Sequence, residues 1–459
     1  MARVVIVGGG LSGLSLAWYV RRFRPEWELV LLEAEERTGG KAFSVSEGGY
    51  LVERGVNGVL DNKPATIELA KELGLPVLKS RDASRRRFIV KEGGLKELPD
   101  SPKAFLKSDI LSPSGKARLM LEPFIARCRD DDESLASFAR RRLGEEAYRY
   151  LIDPMASGIF AGDPEKLSVR SAFPRVWELE QEFGSLIRAM FALKRRARKE
   201  GGSGPASAGP GGVLTSFRHG MGELVDALSS RLSSVIRTGA GAEAVEPCQQ
   251  GWKVAASGGK ELEATHLVLA CPARQAAALL KEAAPEVSEA ASRIYYPPIA
   301  VVAVGVRADQ VRRSMNGFGF LAPFIEGRKI LGCLWDSSVF AHRAPEGRHL
   351  LRCLLGGARQ PEMAGLKETE LEAVVMKELK ELVGLSGEPE YLHIFRWKEA
   401  IPQYNVGHFR LMEQVERGLL EAGRLYVRCN WVGGVALNDC IANSKALARR
   451  ICGVKEASA

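Results

Sequence analysis

The sequence predicts an α/β protein that contains a Rossmann-like nucleotide-binding domain, a second domain of α+β type and an inserted helical unit. Three observations point to this fold class. Residues 3–33 have a strand, glycine turn, helix, strand pattern, strand-like runs resume after residue 213, and a charged segment with helical periodicity separates the two regions. A chain of 459 residues is too long for one ordinary core, so we expect two or three units, some built from non-adjacent segments.

The opening segment has the order of a βαβ unit. The runs "RVVIV" (3–7) and "ELVLLE" (28–33) are apolar like buried strands, and "LSLAWYVRRF" (14–23) between them has helical spacing. The later apolar runs that predict strands are 50–53, 87–90, 252–256, 266–271, 300–306, 329–335, 350–355, 392–397 and 425–429.

The region from about 101 to 197 has a different texture and predicts the helical unit. Its long charged segments, "SLASFARRRLGEEAYRYLI" (134–152) and "SAFPRVWELEQEFGSLIRAMFALKRRARK" (171–199), have the spacing of helices. The region ends in "GGSGPASAGPGG" (201–212), a tract that we expect to be a flexible loop.

Composition excludes several classes of protein. The chain is 46% hydrophobic and 26% charged, which is typical of a globular protein with enough apolar side chains to enclose a large ligand. Its net charge of +9 suits an acidic ligand or an anionic surface, but the basic runs stand beside no nucleic-acid-binding pattern, so we expect no nucleic acid partner. The eight cysteines form no C-x-x-C pair and the six histidines no cluster, which predicts reduced thiols in a cytoplasmic setting and no metal site.

The apolar run at residues 4–20 predicts a nucleotide-binding turn, although a signal sequence or a membrane span is the alternative. Three consecutive glycines interrupt it, no small-residue cleavage site follows, and the run is short for a span of roughly 20 residues. We therefore expect any membrane attachment to be peripheral.

A G-x-G-x-x-G motif lies between the first strand and the helix. Gly8 permits the tight turn, Gly10 lets a pyrophosphate approach the backbone, and Gly13 allows the helix to pack closely on the strand. Glu33 ends the second strand, where an acid binds the ribose hydroxyls of a dinucleotide. The predicted nucleotide-binding residues of this unit are Gly8, Gly9, Gly10, Leu11, Ser12, Gly13, Glu33 and Ala34.

Further motifs resemble one family of flavoproteins. The stretch "LLEAEERTGGK" (31–41) is similar to the signature of the amine oxidase and protoporphyrinogen oxidase superfamily. The chain as a whole resembles the oxygen-dependent, FAD-containing protoporphyrinogen oxidases. The motifs that carry this resemblance are "YLVERGVNGVL" (50–60), "LIDPMASGIFAGDPEKLSVRSAFP" (151–174), "GFGFLAP" (317–323), "IPQYNVGH" (401–408) and "GGVALNDCI" (433–441).

The resemblance implies an activity. It implies that the protein binds FAD and oxidises protoporphyrinogen IX to protoporphyrin IX in heme biosynthesis, through three rounds of hydride transfer to the flavin with dioxygen as the acceptor. Oxidation of coproporphyrinogen III remains open, as do an amine oxidase or carotenoid desaturase of the same fold and a flavin-bearing heme chaperone without turnover. The resemblance also implies peripheral association with the cytoplasmic membrane. A homodimer is one assembly that we expect the protein to be able to form.

The resemblance and the segmentation together predict the domain boundaries. The FAD-binding domain is expected to be discontinuous, with residues 1–75, 213–285 and 411–453. The substrate-binding domain takes residues 76–98 and 286–410, the helical membrane-associated domain takes 99–200, and the loop takes 201–212.

The resemblance adds cofactor-binding residues, which include the glycine-rich stretch "GGVALNDCI". The helix after that stretch, expected from about residue 439, would direct a positive end at the flavin. Three positions depart from the family pattern: Lys41 replaces the usual Arg, Val56 a common Pro, and Cys429 a usual Gly, for which a buried, inert thiol is the simplest interpretation. The added residues are Gly40, Lys41, Gly55, Val56, Asn57, Gly58, Ala242, Asn430, Val435, Ala436 and Leu437.

The resemblance also implies a wide apolar cavity for the macrocycle. Arg87 corresponds to the arginine that holds a propionate, whereas Arg85 and Arg86 are expected to be solvated. Pro402, Gln403 and Tyr404 would shape the rear of the cavity, His408 is expected to be a loop residue, and we predict no catalytic acid or base. The candidate substrate-binding residues are Arg87, Ile159, Phe318, Phe320, Leu321 and Leu334.

Overall fold

The computed structural model describes residues 2–199 and 212–455, so the predicted loop at 201–212 lies, apart from Gly212, outside the described residues. The described strands are β1 (Arg3–Val7), β2 (Glu28–Leu32), β3 (Ser44–Glu47), β4 (Tyr50–Glu53), β5 (Val59–Leu60), β6 (Leu78–Lys79), β7 (Phe88–Lys91), β8 (Gly94–Glu97), β9 (Leu214–Ser216), β10 (Ile236–Arg237), β11 (Ala242–Cys248), β12 (Gly251–Ala256), β13 (Lys260–Ala264), β14 (His266–Leu269), β15 (Ile299–Arg307), β16 (Gly319–Leu321), β17 (Gly332–Trp335), β18 (Arg348–Gly356), β19 (Tyr391–Trp397) and β20 (Leu425–Val427).

The described α-helices are interspersed among these strands, singly or in consecutive groups. They are α1 (Leu11–Phe23), α2 (Ala65–Glu72), α3 (Pro102–Lys107), α4 (Pro113–Met120), α5 (Leu135–Leu143), α6 (Glu145–Ala147), α7 (Asp153–Phe160), α8 (Val169–Ala172), α9 (Pro174–Phe183), α10 (Leu186–Lys199), α11 (Gly222–Arg231), α12 (Ala273–Leu280), α13 (Pro285–Ser292), α14 (Asp336–Val339), α15 (Glu368–Val383), α16 (His408–Ala422) and α17 (Leu437–Cys452).

A parallel sheet in the order β10-β2-β1-β14-β20 forms the nucleotide-binding core. Alternate residues of its strands face two apolar layers, as the buried strands of a parallel sheet require. Ile6 and its neighbours pack with α1, α11 and α17, while Val7 and its neighbours pack with α12, α13, α16 and the β11–β13 meander. The strands come from the first, middle and last parts of the chain, which gives this core the mixed α/β architecture that the sequence predicts.

A second, mixed sheet has the order β19-β15-β18-β17-β16-β7-β8. All its strand pairs are antiparallel except β16 with β7. One face packs on α15 through residues such as Val302, Trp335 and Val375. The opposite face is turned toward the first sheet, since Arg352 of β18 donates to the carbonyl oxygens of Glu53 and Gly55.

Helices α3–α10 lie between β8 and β9, and no strand is assigned there within the described residues. The two segments predicted as long helices are broken, because glycines adopt a positive φ that ends a helix. Gly144 (φ 93°) separates α5 from α6, and Gly184 (φ 69°) separates α9 from α10. The breaks turn the predicted rods into a cluster of short helices. The predicted domain boundaries stay a prediction.

Buried ion pairs join these short helices. Arg142 pairs with Glu122 and Glu180, and all three side chains are almost completely buried. Glu122 also accepts hydrogen bonds from the Ser185 hydroxyl and from the Leu186 amide at the start of α10. The described helices include none that is long and apolar enough to cross a membrane.

Candidate cofactor and substrate site

A cavity of about 500 Å³ opens at the carboxyl ends of the parallel strands, where ligands bind in open α/β sheets. Its wall combines the first glycine turn, the second glycine pair and the last glycine-rich stretch, which are far apart in sequence. The predicted cofactor residues that line it are Gly8, Gly10, Leu11, Ser12, Glu33, Ala34, Gly40, Lys41, Val56, Ala242, Asn430, Val435 and Leu437.

The other predicted cofactor residues lie behind the wall. A Cβ atom on Gly13 would approach the Gly8 carbonyl oxygen to 2.0 Å, and one on Gly55 would approach that of Lys41 to 2.1 Å. Gly9, Gly58 and Ala436 likewise support the lining segments through backbone contacts. The absence of a side chain at Gly13 and Gly55 therefore allows two backbone segments to pack in direct contact. Contact of these residues with a ligand stays a prediction.

Gly10 differs from its neighbours. A Cβ atom on Gly10 would meet no atom within 4 Å, although the residue lines the cavity. Gly40, with φ 54°, lies beside it, and the Gly39 amide donates to the Gly9 carbonyl oxygen (2.8 Å). The two glycine segments therefore form a shallow backbone cradle with room for a phosphate.

Glu33 occupies the position predicted for the ribose acid. Its Oε2 accepts from the Gly9 amide (2.7 Å) and its Oε1 from the Glu35 amide (2.9 Å). These bonds hold the carboxylate at the cavity wall beside the first glycine turn. A fixed carboxylate at this place has the chemistry that ribose hydroxyls need.

Two helix N-termini converge on the cavity. Helix α1 begins after Gly10 and α17 after Ala436, and neither has a side-chain cap. The first-turn amides of such helices are left without intrahelical partners and favour an anion or an electron-rich ring. The helices are packed together, since the Ser444 hydroxyl donates to the Ser12 carbonyl oxygen (2.9 Å). Helix α17 starts two residues earlier than the predicted position 439.

Lys41 and Cys429 change the electrostatics of the wall. The Lys41 ammonium lies 5.7 Å from the ring centroid of Tyr296 and 5.9 Å from that of Trp397, and burial lowers its pKa. Burial, followed by the neighbouring Cys440, raises the pKa of Cys429 to about 11, so this thiol stays protonated at neutral pH. Cys429 is half-buried and lines the cavity. Its protonated state agrees with the predicted inert thiol, whereas its partial exposure at the cavity wall differs from the predicted burial.

Tyr404 ties the last glycine-rich stretch to the rest of the protein. Its hydroxyl donates to the Asn430 carbonyl oxygen (2.7 Å) and accepts from the Gly434 amide (3.0 Å). Its ring stacks on His408 with centroids 4.1 Å apart. Burial lowers the pKa of His408 to about 4, which keeps the imidazole neutral near pH 7. His408 is therefore a buried residue of α16, not the loop residue predicted.

Three of the candidate substrate residues, Arg87, Leu321 and Leu334, belong to the face of the second sheet that also carries Arg352. Leu334 pairs with Arg352 on one side and with Gly319 on the other. Arg87 immediately precedes Phe88, which pairs with Phe320 next to Gly319. The row from Arg352 through Leu334 to Arg87 therefore crosses four strands, or roughly 14 Å at usual strand spacing.

Arg87 is the free cation of this row. Its guanidinium is 5.5 Å from the Phe318 ring centroid, and it has no carboxylate partner among residues 2–199 and 212–455. Burial alone lowers its pKa. By contrast, Arg86 pairs with Glu97 and Arg85 with Asp82, as solvated residues do. A desolvated guanidinium without a counter-ion is suited to bind a carboxylate.

Phe320 was predicted as a cavity wall and is not one. Side chains alternate across a strand, so Phe320 faces α15, where it is 3% exposed in the core with Phe88 and Trp335. Leu321 takes the opposite face, and a Cβ atom on Gly158 of α7 would meet its side chain at 2.9 Å. Ile159, the next residue of α7, is 46% exposed, so solvent covers much of its side chain.

Sequence reasoning missed part of the cofactor wall. Cys271 and Pro272 follow β14, and Gln275 lies in the helix after it. The carboxyl end of a predicted parallel strand was a usable signal for these residues. Trp397 comes from the second sheet, and its Nε1 donates to the Arg54 carbonyl oxygen (2.7 Å). Nothing local in the sequence marks this tryptophan.

The residues present fit FAD. The fixed carboxylate of Glu33, the open cradle at Gly10 and the uncapped N-terminus of α17 match the ribose, the pyrophosphate and the electron-rich ring of FAD, respectively. In addition, Asn57 Nδ2 is buried without a hydrogen-bond partner in the described chain, beside the cavity residue Val56. An unsatisfied donor at this place is consistent with a ligand that supplies an acceptor.

Comparisons with known proteins agree with this arrangement. The sequence pattern of the flavin containing amine oxidoreductase family matches residues 11–452. A coproporphyrinogen III oxidase of Bacillus subtilis is 31% identical, over 96% of this chain and 96% of its own. A chloroplastic protoporphyrinogen oxidase of Arabidopsis thaliana is 32% identical, over 95% of this chain and 85% of its own.

Solved structures show the same fold. A candidate protoporphyrinogen oxidase from Exiguobacterium superposes with a TM-score of 0.83 at 25% identity, over 99% of both chains. A UDP-galactopyranose mutase superposes with a TM-score of 0.76 at 16% identity, which shows the fold alone. The resemblance drawn from the sequence motifs is confirmed, and this chain belongs to the flavin-containing amine oxidoreductase family as an FAD-dependent oxidoreductase.

Proposed function

We propose that the protein oxidises protoporphyrinogen IX to protoporphyrin IX, with FAD as the hydride acceptor and dioxygen as the final electron acceptor. The observation that carries the proposal is Arg87, a half-buried guanidinium that has no carboxylate partner within the described residues and lies at the opposite end of the row from Arg352. The names of the relatives, protoporphyrinogen oxidase and coproporphyrinogen III oxidase, support the same class of substrate.

The face has the properties that a porphyrinogen requires. Leu321, Leu334 and Phe318 are partly exposed and supply apolar contacts for a macrocycle. Arg87 supplies the charge for a propionate at its edge. Arg352, at the other end of the row, is held by Asp336, so it is engaged and leaves Arg87 as the cation for the substrate.

The chain's own residues bind and orient the substrate. Bound flavin supplies the hydride acceptor, and pyrrole nitrogens lose protons readily once the adjacent carbon is oxidised. No histidine or free carboxylate belongs to the row from Arg352 to Arg87. We therefore propose that this site works by positioning and by excluding water, without a side-chain acid or base.

Oxidation of coproporphyrinogen III is the second candidate, because relatives from Bacillus subtilis and Staphylococcus aureus bear that name. Coproporphyrinogen carries four propionates and protoporphyrinogen two. One unpaired arginine in the row favours the substrate with fewer carboxylates, since each desolvated carboxylate needs a partner.

Porphyrin fluorescence tests the proposal. The purified holoenzyme is incubated in air with each porphyrinogen in separate reactions, and porphyrin emission is followed against the spontaneous rate. We expect porphyrin emission to rise faster than the spontaneous rate with protoporphyrinogen, and kcat/KM to be larger for protoporphyrinogen than for coproporphyrinogen. A larger kcat/KM for coproporphyrinogen would show that coproporphyrinogen is the preferred substrate. If neither porphyrinogen is oxidised faster than it is spontaneously, the proposed function is contradicted.

We also propose that the helical segment associates with the surface of the cytoplasmic membrane. Its described part exposes large apolar side chains, among them Phe124 (80% exposed) and Phe191 (64% exposed), and Lys194 and Arg195 follow on the same helix as Phe191. Apolar side chains flanked by basic residues suit an anionic lipid surface. Apart from the candidate substrate residue Ile159, the exposed large apolar residues of the described part are Leu106, Met120, Leu121, Phe124, Met190 and Phe191.

Flotation with anionic phospholipid vesicles tests this association. We expect the parent protein to float and Phe124→Ser with Phe191→Ser to stay in the dense fraction. Leu420→Ser, which removes an equally exposed leucine (83%) from α16, is the matched control and should float. Equal flotation of all three proteins contradicts the proposal.

A homodimer stays a prediction, which light scattering of the purified protein decides.

A further inference from the structure

Four charged side chains are buried together beneath the segment from Glu53 to Asn57. Arg343 pairs with Glu53 at 3.0 Å, and Arg352 pairs with Asp336 at 2.7 Å. None of the four side chains is more than 2% exposed. The function proposed above uses none of them to bind substrate, so their burial calls for a separate explanation.

Arg352 contacts the backbone of this segment. It reaches across from β18 and donates to the Glu53 carbonyl oxygen (3.0 Å) and to that of Gly55 (3.2 Å). Asp336 holds the other edge of its guanidinium through two oxygens, at 2.7 and 3.4 Å. The fork geometry of arginine therefore fixes the height of the Gly55 backbone above the second sheet.

Arg343 contacts the end of the same segment. It donates to the side-chain oxygen Oδ1 of Asn57 and to its backbone oxygen, both at 3.3 Å, and to the Ser216 hydroxyl (3.1 Å). Glu53, its ionic partner, is itself held by the Met221 amide and the Ser44 hydroxyl. Both arginines thus act on the segment that carries Val56 in the cofactor wall.

The Arg343 contact decides how the Asn57 amide is oriented. A guanidinium only donates hydrogen bonds, so the amide must present its oxygen to Arg343. The NH₂ group then points away from the arginine, and in the described chain this nitrogen is buried without a partner. A buried donor without an acceptor is costly, so a ligand that supplies an acceptor at this place would stabilise the site.

Stability alone does not explain the cluster. Buried ion pairs are often no more stabilising than apolar side chains of the same size, because removing the charges from water is expensive. What such a cluster does provide is a fixed geometry, since each charge must keep its partners.

We propose that Arg343 and Arg352 are positioning residues of the cofactor site, which hold the Gly55–Asn57 backbone and turn the Asn57 amide donor toward bound flavin. Isoalloxazine carbonyl oxygens and ring nitrogens are the acceptors that match this donor. The inference depends on FAD and not on which porphyrinogen is oxidised, so its test uses no turnover.

Three variants of the holoenzyme test the role. Arg343→Met and Arg352→Met remove the two anchors. Arg328→Met, the matched control, removes an arginine of the same domain that is also largely buried and paired with Glu378, but on the α15 side of the sheet. Each protein is compared by the dissociation constant of FAD from apoprotein titration, the visible circular dichroism of the flavin and its midpoint potential.

We expect both anchor variants to bind FAD about tenfold more weakly, as the loss of a buried charged hydrogen bond predicts. Their flavin circular dichroism should change, and their midpoint potential should become more negative, because a positive charge and an amide donor no longer favour the electron-rich reduced ring. Arg328→Met should lower the melting temperature and leave all three flavin properties at the parental values.

A double-mutant cycle separates positioning from folding. If Arg343 acts through Asn57, Arg343→Met should change the FAD dissociation constant by less than about twofold in an Asn57→Ala background. Should Arg343→Met fail to fold, Arg343→Met combined with Glu53→Gln removes both charges and takes its place in the cycle.

Two outcomes overturn the proposal. The first is an equal effect of Arg343→Met with and without the Asn57 side chain. The second is a set of anchor variants that lose thermal stability while the affinity, circular dichroism and potential of the flavin stay unchanged. In either outcome, the cluster joins the two sheets and has no part in the cofactor site.

Discussion

The cavity that fits FAD and the sheet face proposed for the substrate are built in different ways. The cavity is organised by backbone features, namely two glycine segments, two helix ends and the carboxyl ends of parallel strands, and side chains such as Glu33 and Lys41 complete its wall. The face is walled by side chains that project from a mixed sheet, with Arg87, Leu321 and Leu334 as its main members. A site formed by backbone turns requires glycines and other particular residues at fixed spacing in the sequence. A site formed by side chains can be built from any strands whose register places those side chains on the same face.

This difference predicts how each region responds to mutation. Filling a glycine in the cavity changes the shape of the wall itself, so the cofactor should be lost. Shortening a side chain of the face leaves the wall intact and removes one contact, so only the substrate should bind less well. The first three predictions below test this contrast, from the largest expected effect on ligand binding to the smallest, and a fourth tests the burial of His408.

Gly10→Val should abolish FAD retention. The space that its side chain would enter is open in the protein and is where a pyrophosphate would approach. Gly365→Val is the matched control, because a Cβ atom there also meets no atom within 4 Å and the glycine lies away from the cavity. The ratio of flavin absorbance to protein absorbance after purification measures retention. A Gly10→Val protein that purifies with a full complement of FAD would show that the cradle does not hold the cofactor.

Arg87→Ala should raise KM for the porphyrinogen by roughly 10- to 100-fold, as expected for a lost charged hydrogen bond, with FAD still bound. Arg86→Ala, which removes the exposed neighbour paired with Glu97, should leave KM unchanged. Initial rates from porphyrin fluorescence give both constants. The same KM in Arg87→Ala as in the parent protein would remove Arg87 from the site.

Tyr404→Phe should weaken FAD binding by about tenfold, because the Asn430 carbonyl oxygen and the Gly434 amide lose their shared partner. The Tyr19 hydroxyl is buried without a hydrogen-bond partner in the described chain, so Tyr19→Phe is a control that should have little effect. Titration of apoprotein with FAD compares the two variants. Equal affinities would mean that the last glycine-rich stretch is held without this clamp.

His408 should make stability depend on pH. Burial lowers its pKa from 6.5 to about 4, so below pH 6.5 the unfolded chain binds a proton that the folded protein does not. The free energy of unfolding is unaffected above pH 6.5 and should fall by about 3 kcal/mol as the pH drops toward 4. Thermal melts of the parent protein and of His408→Gln at pH 7, 6, 5 and 4 measure the difference. Parallel curves for the two proteins would contradict this assignment.

The same contrast explains how much of the site could be predicted. The residues of the first βαβ unit were predicted as a group, because a tight turn, a close helix and an acid at the strand end leave a spaced pattern. Phe320 was predicted to line the substrate cavity, and this prediction was wrong because its side chain lies in the core on the α15 side. A shift of one residue reverses the face of a strand, and the motif "GFGFLAP" does not indicate which of its residues face the core. Trp397 and Tyr404 lie in predicted segments, but their roles could not be predicted, since each donates a hydrogen bond to a backbone group distant in sequence.

The fold shows the same division. The parallel strands β1, β2 and β14 were predicted nearly to the residue, because buried strands are continuous apolar runs. Short strands such as β5 and β16 were missed, since two or three residues have no measurable periodicity. The long helices were predicted without their breaks at Gly144 and Gly184, because a glycine within a helical pattern is tolerated in some contexts and ends the helix in others.

By itself, the sequence determined the nucleotide-binding unit, because local backbone geometry and fixed motif spacing require particular residues. The flavin family and Arg87 as a candidate cation followed from the resemblance to a known family. Only the tertiary structure decided which sheet face meets the cofactor, that Tyr404 clamps the last glycine-rich stretch, and that Arg343 and Arg352 are buried beneath Asn57. These features depend on contacts between segments far apart in the chain, and the energy of such a contact is set by burial and distance, which no local stretch of residues specifies.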